Sequence, residues 1–223
     1  MAKININLDP KTKEQIMKNT LTNQLPIWMR NFARNIPTIM KSPDIRELRR
    51  TDRSAIVIGA GPSIKKYKHL EILAKSNYKG VIIATDRILV ECIKKGVIPD
   101  IVCSVDADPT IITFYNHELV HKNRKKISAV LSTVVDPLLI KTFKGRKYFF
   151  HPTFDDMNSL TSLTRAVHYM TRNIIIPSIG DVGSNCWYIA KFMECNPICL
   201  IGMDHSEFEL EDLGDYKQMK ENL

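Results

Sequence analysis

The sequence has no apolar run of membrane-spanning length. A spanning helix needs about 20 consecutive apolar residues, whereas the uninterrupted apolar stretches here, such as Ala55-Ile-Val-Ile58 and Val81-Ile-Ile-Ala84, are strand-sized. The opening, Met1-Ala-Lys-Ile-Asn-Ile-Asn7, lacks the apolar core of a signal peptide. A soluble cytoplasmic protein is the expectation. No Cys-x-x-Cys pair occurs, and Cys92, Cys103, Cys186, Cys195 and Cys199 make an odd number, mostly in apolar segments. That excludes a disulfide framework and predicts buried, reduced thiols. Internal repeats and low-complexity segments are absent as well. At 223 residues with 44% hydrophobic content, the chain can fill the core of one α/β domain with additions.

The net charge of +8 is unevenly spread: residues 1–53 carry eleven Lys/Arg against five Asp/Glu, while residues 204–223 carry two against seven. Lys122-Asn-Arg-Lys-Lys126 is the densest basic cluster, without interleaved aromatics or a helix-turn-helix pattern. It reads as a solvated face, and no nucleic-acid partner is expected. The basic balance does suit phosphorylated small molecules.

What the chain does contain is alternation. Apolar runs near 55–58, 81–84, 101–105, 127–132, 147–150, 174–176 and 198–201 alternate with helical patterns near 63–76, 87–95, 109–122, 136–143, 159–172 and 183–195. This is the pattern of βαβ units: a Rossmann-like, mainly parallel sheet with helices on both faces. Ahead of it, Leu25 to Met40 puts Trp28, Phe32, Ile36 and Ile39 on one helical face, with Pro37 expected to kink or end the helix. The organisation predicted is an N-terminal helical extension (1–53), a catalytic domain (54–206) and an acidic tail (207–223).

Three acids follow two of the strands: Asp86 after the second, Asp106 and Asp108 after the third. Side chains just beyond the carboxyl ends of parallel strands face the ligand crevice. Asp86, Asp106 and Asp108 are therefore candidate ligands for Mg²⁺, an ion usually held by one or two carboxylates plus substrate phosphates. Asp108 precedes Pro109, so helix capping competes for it. Asp204, after the last strand in Gly202-Met-Asp204-His205, is a fourth acid, with His205 either a base or a surface residue.

Two glycine turns complete the pattern. Gly59-Ala-Gly61-Pro62-Ser63 follows the first strand, where close backbone approach would admit a phosphate; an ordinary strand-to-helix turn is the plainer alternative. Residue 64 is Ile, where a dinucleotide fingerprint needs a third glycine, which argues against NAD. Gly180-Asp-Val-Gly183-Ser184-Asn185 either holds a second substrate or is a loop with Ser184 as helix cap. Finally, His117-Glu-Leu-Val-His121 matches a zinc-protease spacing, yet it runs into a basic cluster with no third ligand in sight. A solvated helix end is the simpler reading.

In their order and spacing, Ile56-Val-Ile-Gly-Ala-Gly-Pro-Ser-Ile64, Ala84-Thr-Asp86, Gly96-Val-Ile-Pro-Asp-Ile-Val-Cys-Ser-Val-Asp106, the Gly180 to Asn185 turn and Leu200-Ile-Gly-Met-Asp204 resemble the MptE-like hydroxymethylpterin diphosphokinase family, over roughly residues 54–205. That family is similar to thiamine diphosphokinases and shares core motifs with motility-associated flagellin glycosyltransferases. Two departures stand out: Gly202-Met203-Asp204 replaces the family's usual Gly-Gln-Asp, and the N-terminal helices look closer to the glycosyltransferase type.

The resemblance implies a Mg²⁺-dependent transferase that moves diphosphate from ATP to a hydroxymethyl acceptor such as a reduced pterin. In it Asp86, Asp106 and Asp204 would be catalytic, with Asp86, Asp106 and Asp108 on the metal. Gly59, Gly61, Pro62, Ser63, Gly180, Gly183, Ser184 and Asn185 would bind the substrates. A glycosyltransferase using a CMP-type sugar and a non-catalytic nucleotide- or partner-binding module are the alternatives. The expected partners are a nucleotide and a small acceptor; oligomeric state, a homo-oligomer included, stays open.

Overall fold

The computed structural model describes residues 9–48, 51–177 and 181–204. Gly180, His205 and the acidic tail lie outside these residues. Helices α1 (Pro10–Asn19) and α2 (Leu25–Ile39) open the chain, joined by a π-helical turn. Then come seven strands: β1 (Ala55–Ile58), β2 (Val81–Thr85), β3 (Ile101–Ser104), β4 (Ser128–Ser132), β5 (Arg146–Pro152), β6 (Ile175–Ile176) and β7 (Ile198–Ile201). They form one parallel sheet in the order β6-β5-β4-β3-β2-β1-β7.

That order follows from handedness. Parallel crossovers are right-handed, so stepping in one direction from β1 to β6 puts the intervening helices on one face. These are α3 (Ser63–Lys66), α4 (His69–Lys75), α5 (Leu89–Lys94), α6 (Ile112–Tyr115), α7 (Glu118–Asn123), α8 (Pro137–Thr142) and α9 (Leu163–Thr171). The return to β7 runs the other way, and α10 (Val182–Phe192) covers the opposite face. Alternate strand residues divide accordingly. Val57, Ile83, Cys103, Val130 and Phe150 pack with Cys186, Ile189 and Ala190 of α10, while Val102, Ala129, Leu131 and Phe149 meet the helices of the other layer. With both faces covered, the strands read as continuous apolar runs.

The expected elements are present, with differences that side chains explain. The helix expected over 109–122 is broken, because Asp108 and His117 each start a separate turn by accepting the N–H two residues on. Lys68, with φ of 53°, breaks the one expected over 63–76. Helix α2 does not stop at Pro37 but runs to Ile39. Pro37 lacks an N–H to donate, and the turn still closes through Met40 N–H to the Ile36 carbonyl, 2.9 Å. Four cysteines are buried and unpaired as expected; Cys199 is exposed because β7 is an edge strand with a partner only on the β1 side. No helix among the described residues is long and apolar enough to cross a membrane.

Candidate active site

Register brings the acids together. Thr85 pairs with Cys103, so the next residues, Asp86 and Ser104, are side by side where β2 and β3 end. Asp86 is 2% exposed and accepts hydrogen bonds from Ser104 Oγ (2.7 Å) and Arg87 N–H (2.8 Å). Ser104 Oγ also meets the buried Tyr115 hydroxyl at 2.8 Å. Burial outweighs those two donors and pushes the Asp86 pKa up to about 6, with the charge of Asp106 adding to the rise. Burial holds the thiol pKa of Cys103, a hydrogen-bonded neighbour of Cys186 in the same core, well above its usual value, with Cys186 adding to the rise.

Asp106, like Asp108, is exposed. Its pKa is raised by partial enclosure of the carboxyl; Arg87 opposes that rise and Asp108 adds to it. Among the described residues its carboxylate accepts no hydrogen bond. Asp108 caps the turn at Pro109, accepting Thr110 N–H at 2.8 Å, as the proline after it predicts. No group of three His, Cys, Asp or Glu among the described residues is arranged to hold a metal ion. Asp86 and Asp106 instead form a pair, one sheltered and one open, which suits an ion completed by substrate phosphates rather than an all-protein cage.

Asp204 lies elsewhere. Because β1 and β7 are neighbours in register, with Ile58 opposite Ile201, the first glycine turn meets the Gly202-Met203-Asp204 segment. Gly61 N–H donates to the Gly202 carbonyl (2.9 Å), and Ser63 N–H donates to Asp204 Oδ2 (2.8 Å). A Cβ at Gly59 would collide with the Gly202 carbonyl, and one at Gly61 with the Asp204 carboxylate. On the far side of Met203, a Cβ at Gly183 would run into the Met203 thioether. Three glycines of two separate turns thus make room for one tripeptide.

The cap of α10 is Asp181 rather than Ser184. Asp181 Oδ1 accepts Ser184 N–H at 2.8 Å, and Ser184 Oγ donates to Oδ2. An extended residue carrying a carboxylate three positions ahead satisfies the free N–H better than a serine already inside the helix. Asn185 is buried, donating to the Asp181 carbonyl, while its Oδ1 has no partner among the described residues. The pattern Asp-x-x-Ser at the end of an apolar strand carried the capping signal.

Two cavities lie near these elements, and Asp106 lines the first. One, of about 280 Å³, opens beyond β3, β4 and β5 and is lined by Asp106, Asp181, Val182, Phe154 and Trp28, among others. The second, of about 300 Å³, lies between the first glycine turn, α4 and α5, and is lined by Gly61, Pro62, Lys65, Ile88, Glu91 and Lys95 among others. Trp28 reads as a core residue in sequence, and only the fold brings it here. Asn31 donates to the Val134 carbonyl (3.1 Å) and Asn35 to those of Thr133 and Val135 (3.1 and 2.9 Å), tying α2 to the segment after β4. Trp28 and Phe154 then meet with ring centroids 5.8 Å apart. Nearby, His151 is buried between Thr133 Oγ1 (2.9 Å) and Thr171 Oγ1 (2.6 Å), and burial depresses its pKa to about 4.

The zinc-like motif does not form a site. His117 lies outside α7 as its cap, His121 contacts Asn116 Oδ1 at 3.3 Å, and Glu118 pairs with Lys122. With His117 off the helix, the two imidazoles do not share a helical face.

Known proteins extend these observations. The MptE-like 6-hydroxymethylpterin diphosphokinase family model matches residues 30–209. A 6-hydroxymethyl-7,8-dihydropterin pyrophosphokinase of Methanocaldococcus jannaschii is 29% identical over 181 residues, covering 80% of this chain and 68% of the relative. The MAf glycosyltransferase from Magnetospirillum magneticum AMB-1 superposes over 92% of this chain with a TM-score of 0.56 and 14% identity, a likeness of fold. This chain spans about a third of that enzyme's length, 33%. The family match begins inside α2, two residues after Trp28, and runs through the acid pair, both glycine turns and Asp204, so the chain belongs to the MptE-like 6-hydroxymethylpterin diphosphokinase family.

Proposed function

We propose that this chain is a Mg²⁺-dependent diphosphokinase that transfers the terminal diphosphate of ATP to the hydroxymethyl group of a reduced pterin, 6-hydroxymethyl-7,8-dihydropterin. The observation that carries this reading is the layout across the sheet. Asp86 and Asp106 stand at the ends of β2 and β3; Asp106 lines the cavity beyond β3–β5, and a second cavity is walled by the glycine turn after the neighbouring β1. A two-substrate transfer needs two seats with the charge-handling groups between them. The name of the Methanocaldococcus jannaschii relative supports the choice of substrates.

In this reading the nucleotide takes the cavity beside Gly61 and Pro62, lined by Lys65 and by Lys95, the latter paired with Glu71 at 2.9 Å, and the acceptor takes the cavity beside Asp106. Gly59 and Ser63 shape the first turn, while Gly183, Ser184 and Asn185 position the acceptor side. Asp106, with Asp86 behind it, would hold Mg²⁺ together with substrate phosphates, while Asp108 caps the turn at Pro109; Asp204 fixes the first turn through Ser63 N–H. The bound cation would neutralise phosphate charge as it builds during transfer. The acceptor oxygen bonds to the β-phosphorus as the bond to the α,β-bridging oxygen breaks, AMP leaves, and the hydroxyl proton is lost to solvent. Positioning and charge balance then account for most of the acceleration.

The test is AMP release from Mg·ATP with 6-hydroxymethyl-7,8-dihydropterin. Wild-type protein should release AMP in step with pterin diphosphate, and Asp106→Asn should lower kcat by about 10²-fold or more, the scale for removing a key electrostatic group, with its melting curve unchanged. Wild type that forms no AMP, but is stabilised by CMP rather than by Mg·ATP, would replace this reading with the nucleotide-sugar one.

A further inference from the structure

The cavity beyond β3–β5 has an unusual balance of walls. Trp28 and Phe154 are both half-buried, packed against each other, and both line the cavity. Val105, Val134, Pro152 and Val182 supply further apolar surface. The charged groups lining it among the described residues are two carboxylates, Asp106 and Asp181, with no Lys or Arg. A pocket of about 280 Å³ is at the small end of ligand sites, with room for one ring system.

Each feature constrains the occupant. Ionised carboxylates only accept hydrogen bonds, so they select a ring edge rich in N–H donors and repel phosphate or carboxylate groups. A paired Trp and Phe present a broad apolar face on which a flat heterocycle stacks. The two rings are too close, at 5.8 Å between centroids, for a third to slide between them; they form one wall, not a clamp. Asp106 lies on the side of Asp86, which leaves Asp181, fixed by Ser184, to read the ring edge.

We propose that Trp28, on the N-terminal helix and ahead of the family-matched segment, is a specificity-determining residue of the acceptor site: with Phe154 it forms a stacking wall for a planar, donor-edged heterocycle of the aminopyrimidinone type. This rests on the reading that the acceptor occupies this cavity. The N-terminal helix is then part of the binding machinery and not only a cover for the sheet.

The experiment measures KM for 6-hydroxymethyl-7,8-dihydropterin and for Mg·ATP, together with calorimetric binding of 6-hydroxymethylpterin, in wild type, Trp28→Phe and Trp28→Leu. Loss of one stacking contact should weaken pterin binding by about 10- to 100-fold in Trp28→Leu, leave KM for ATP unchanged, and be largely restored in Trp28→Phe. Should Trp28→Leu fail to fold, Trp187→Phe protein, with Trp28 as its sole tryptophan, provides the second readout: 6-hydroxymethylpterin should quench its emission saturably and CMP should not. Unchanged pterin binding in folded Trp28→Leu, or no quenching, overturns the proposal even if wild type releases AMP, in which case the diphosphokinase reading stands alone. Conversely, pterin binding that depends on Trp28 in a protein that releases no AMP supports this inference and removes that reading.

Discussion

Two buried titratable residues pull stability in opposite directions over the same pH range. Asp86 has its pKa raised from 3.8 to about 6, mainly by burial. The fold binds that proton more tightly than the unfolded chain does, so its contribution is complete below pH 3.8 and lost as pH rises through 6. His151 is lowered from 6.5 to about 4, again by burial. The unfolded chain takes up that proton first, so its contribution is present above pH 6.5 and lost as pH falls through 4. Each shift corresponds to about 3 kcal/mol, and the two largely offset. In metal-free protein with chelator present, wild type should therefore show little dependence on these groups between pH 4 and 6.5. His151→Gln should become more stable as pH falls across that window, and Asp86→Asn should become less stable. Chemical denaturation of the three proteins at pH 4.5 and 6.5 checks this; parallel slopes in all three would rule it out. Neither environment was open to sequence reading. Asp86 shows itself as an acid at a strand end, but its burial depends on Ser104, Tyr115 and the α6 layer. His151 looks like any strand residue until Thr133 and Thr171, from two other segments, enclose it.

At the scale of elements, the glycine turns show how a correct sequence signal can carry a different physical cause. The glycines of 59–61 are legible as points of close approach to a phosphate, whereas Gly183 reads only as part of a substrate turn or a loop; all three stand in close approach. The neighbour among the described residues is the chain's own Gly202-Met203-Asp204 segment. Pairing of β7 with β1 sets that contact, and no local pattern says which strand joins which edge. The two turns should respond differently to a methyl group. At Gly59 the obstacle is the Gly202 backbone carbonyl, which cannot move without unseating β7. At Gly183 it is the end of the flexible Met203 side chain, together with Asp181 Oδ1. Gly59→Ala should cost about 2–3 kcal/mol, in the upper range for overpacking a tight site. Gly183→Ala should cost about 1 kcal/mol and recover much of it when combined with Met203→Ala, which vacates the space. Thermal melts of the three variants measure this, and equal costs at both glycines would contradict the assignment.

Across the whole molecule, seven apolar runs were enough to specify a parallel sheet with two covered faces, because strands buried on both sides leave no polar alternation to misread. The position of the N-terminal helix was not specified that way. Its apolar face announces packing, yet its placement depends on Asn31 and Asn35, buried polar residues whose partners are backbone carbonyls about 100 positions away. Those bonds orient α2 so that Phe32 and Ile39 enter the core while Trp28 reaches the cavity. Replacing Asn35 with Ala strands the carbonyls of Thr133 and Val135, and the cost should be about 2–3 kcal/mol, that of leaving buried acceptors unpaired. On the proposed reading, the same change should loosen the seat of Trp28 and weaken acceptor binding without altering KM for ATP, since the cavity proposed for ATP has a different set of walls, around Gly61, Pro62 and Lys95. If the helix acts on the acceptor site only through Trp28, Asn35→Ala added to Trp28→Leu should cause no further loss of acceptor affinity. Additive losses in that double-variant cycle would mean that Asn35 supports the cavity by another route, through the Thr133–Val135 segment itself.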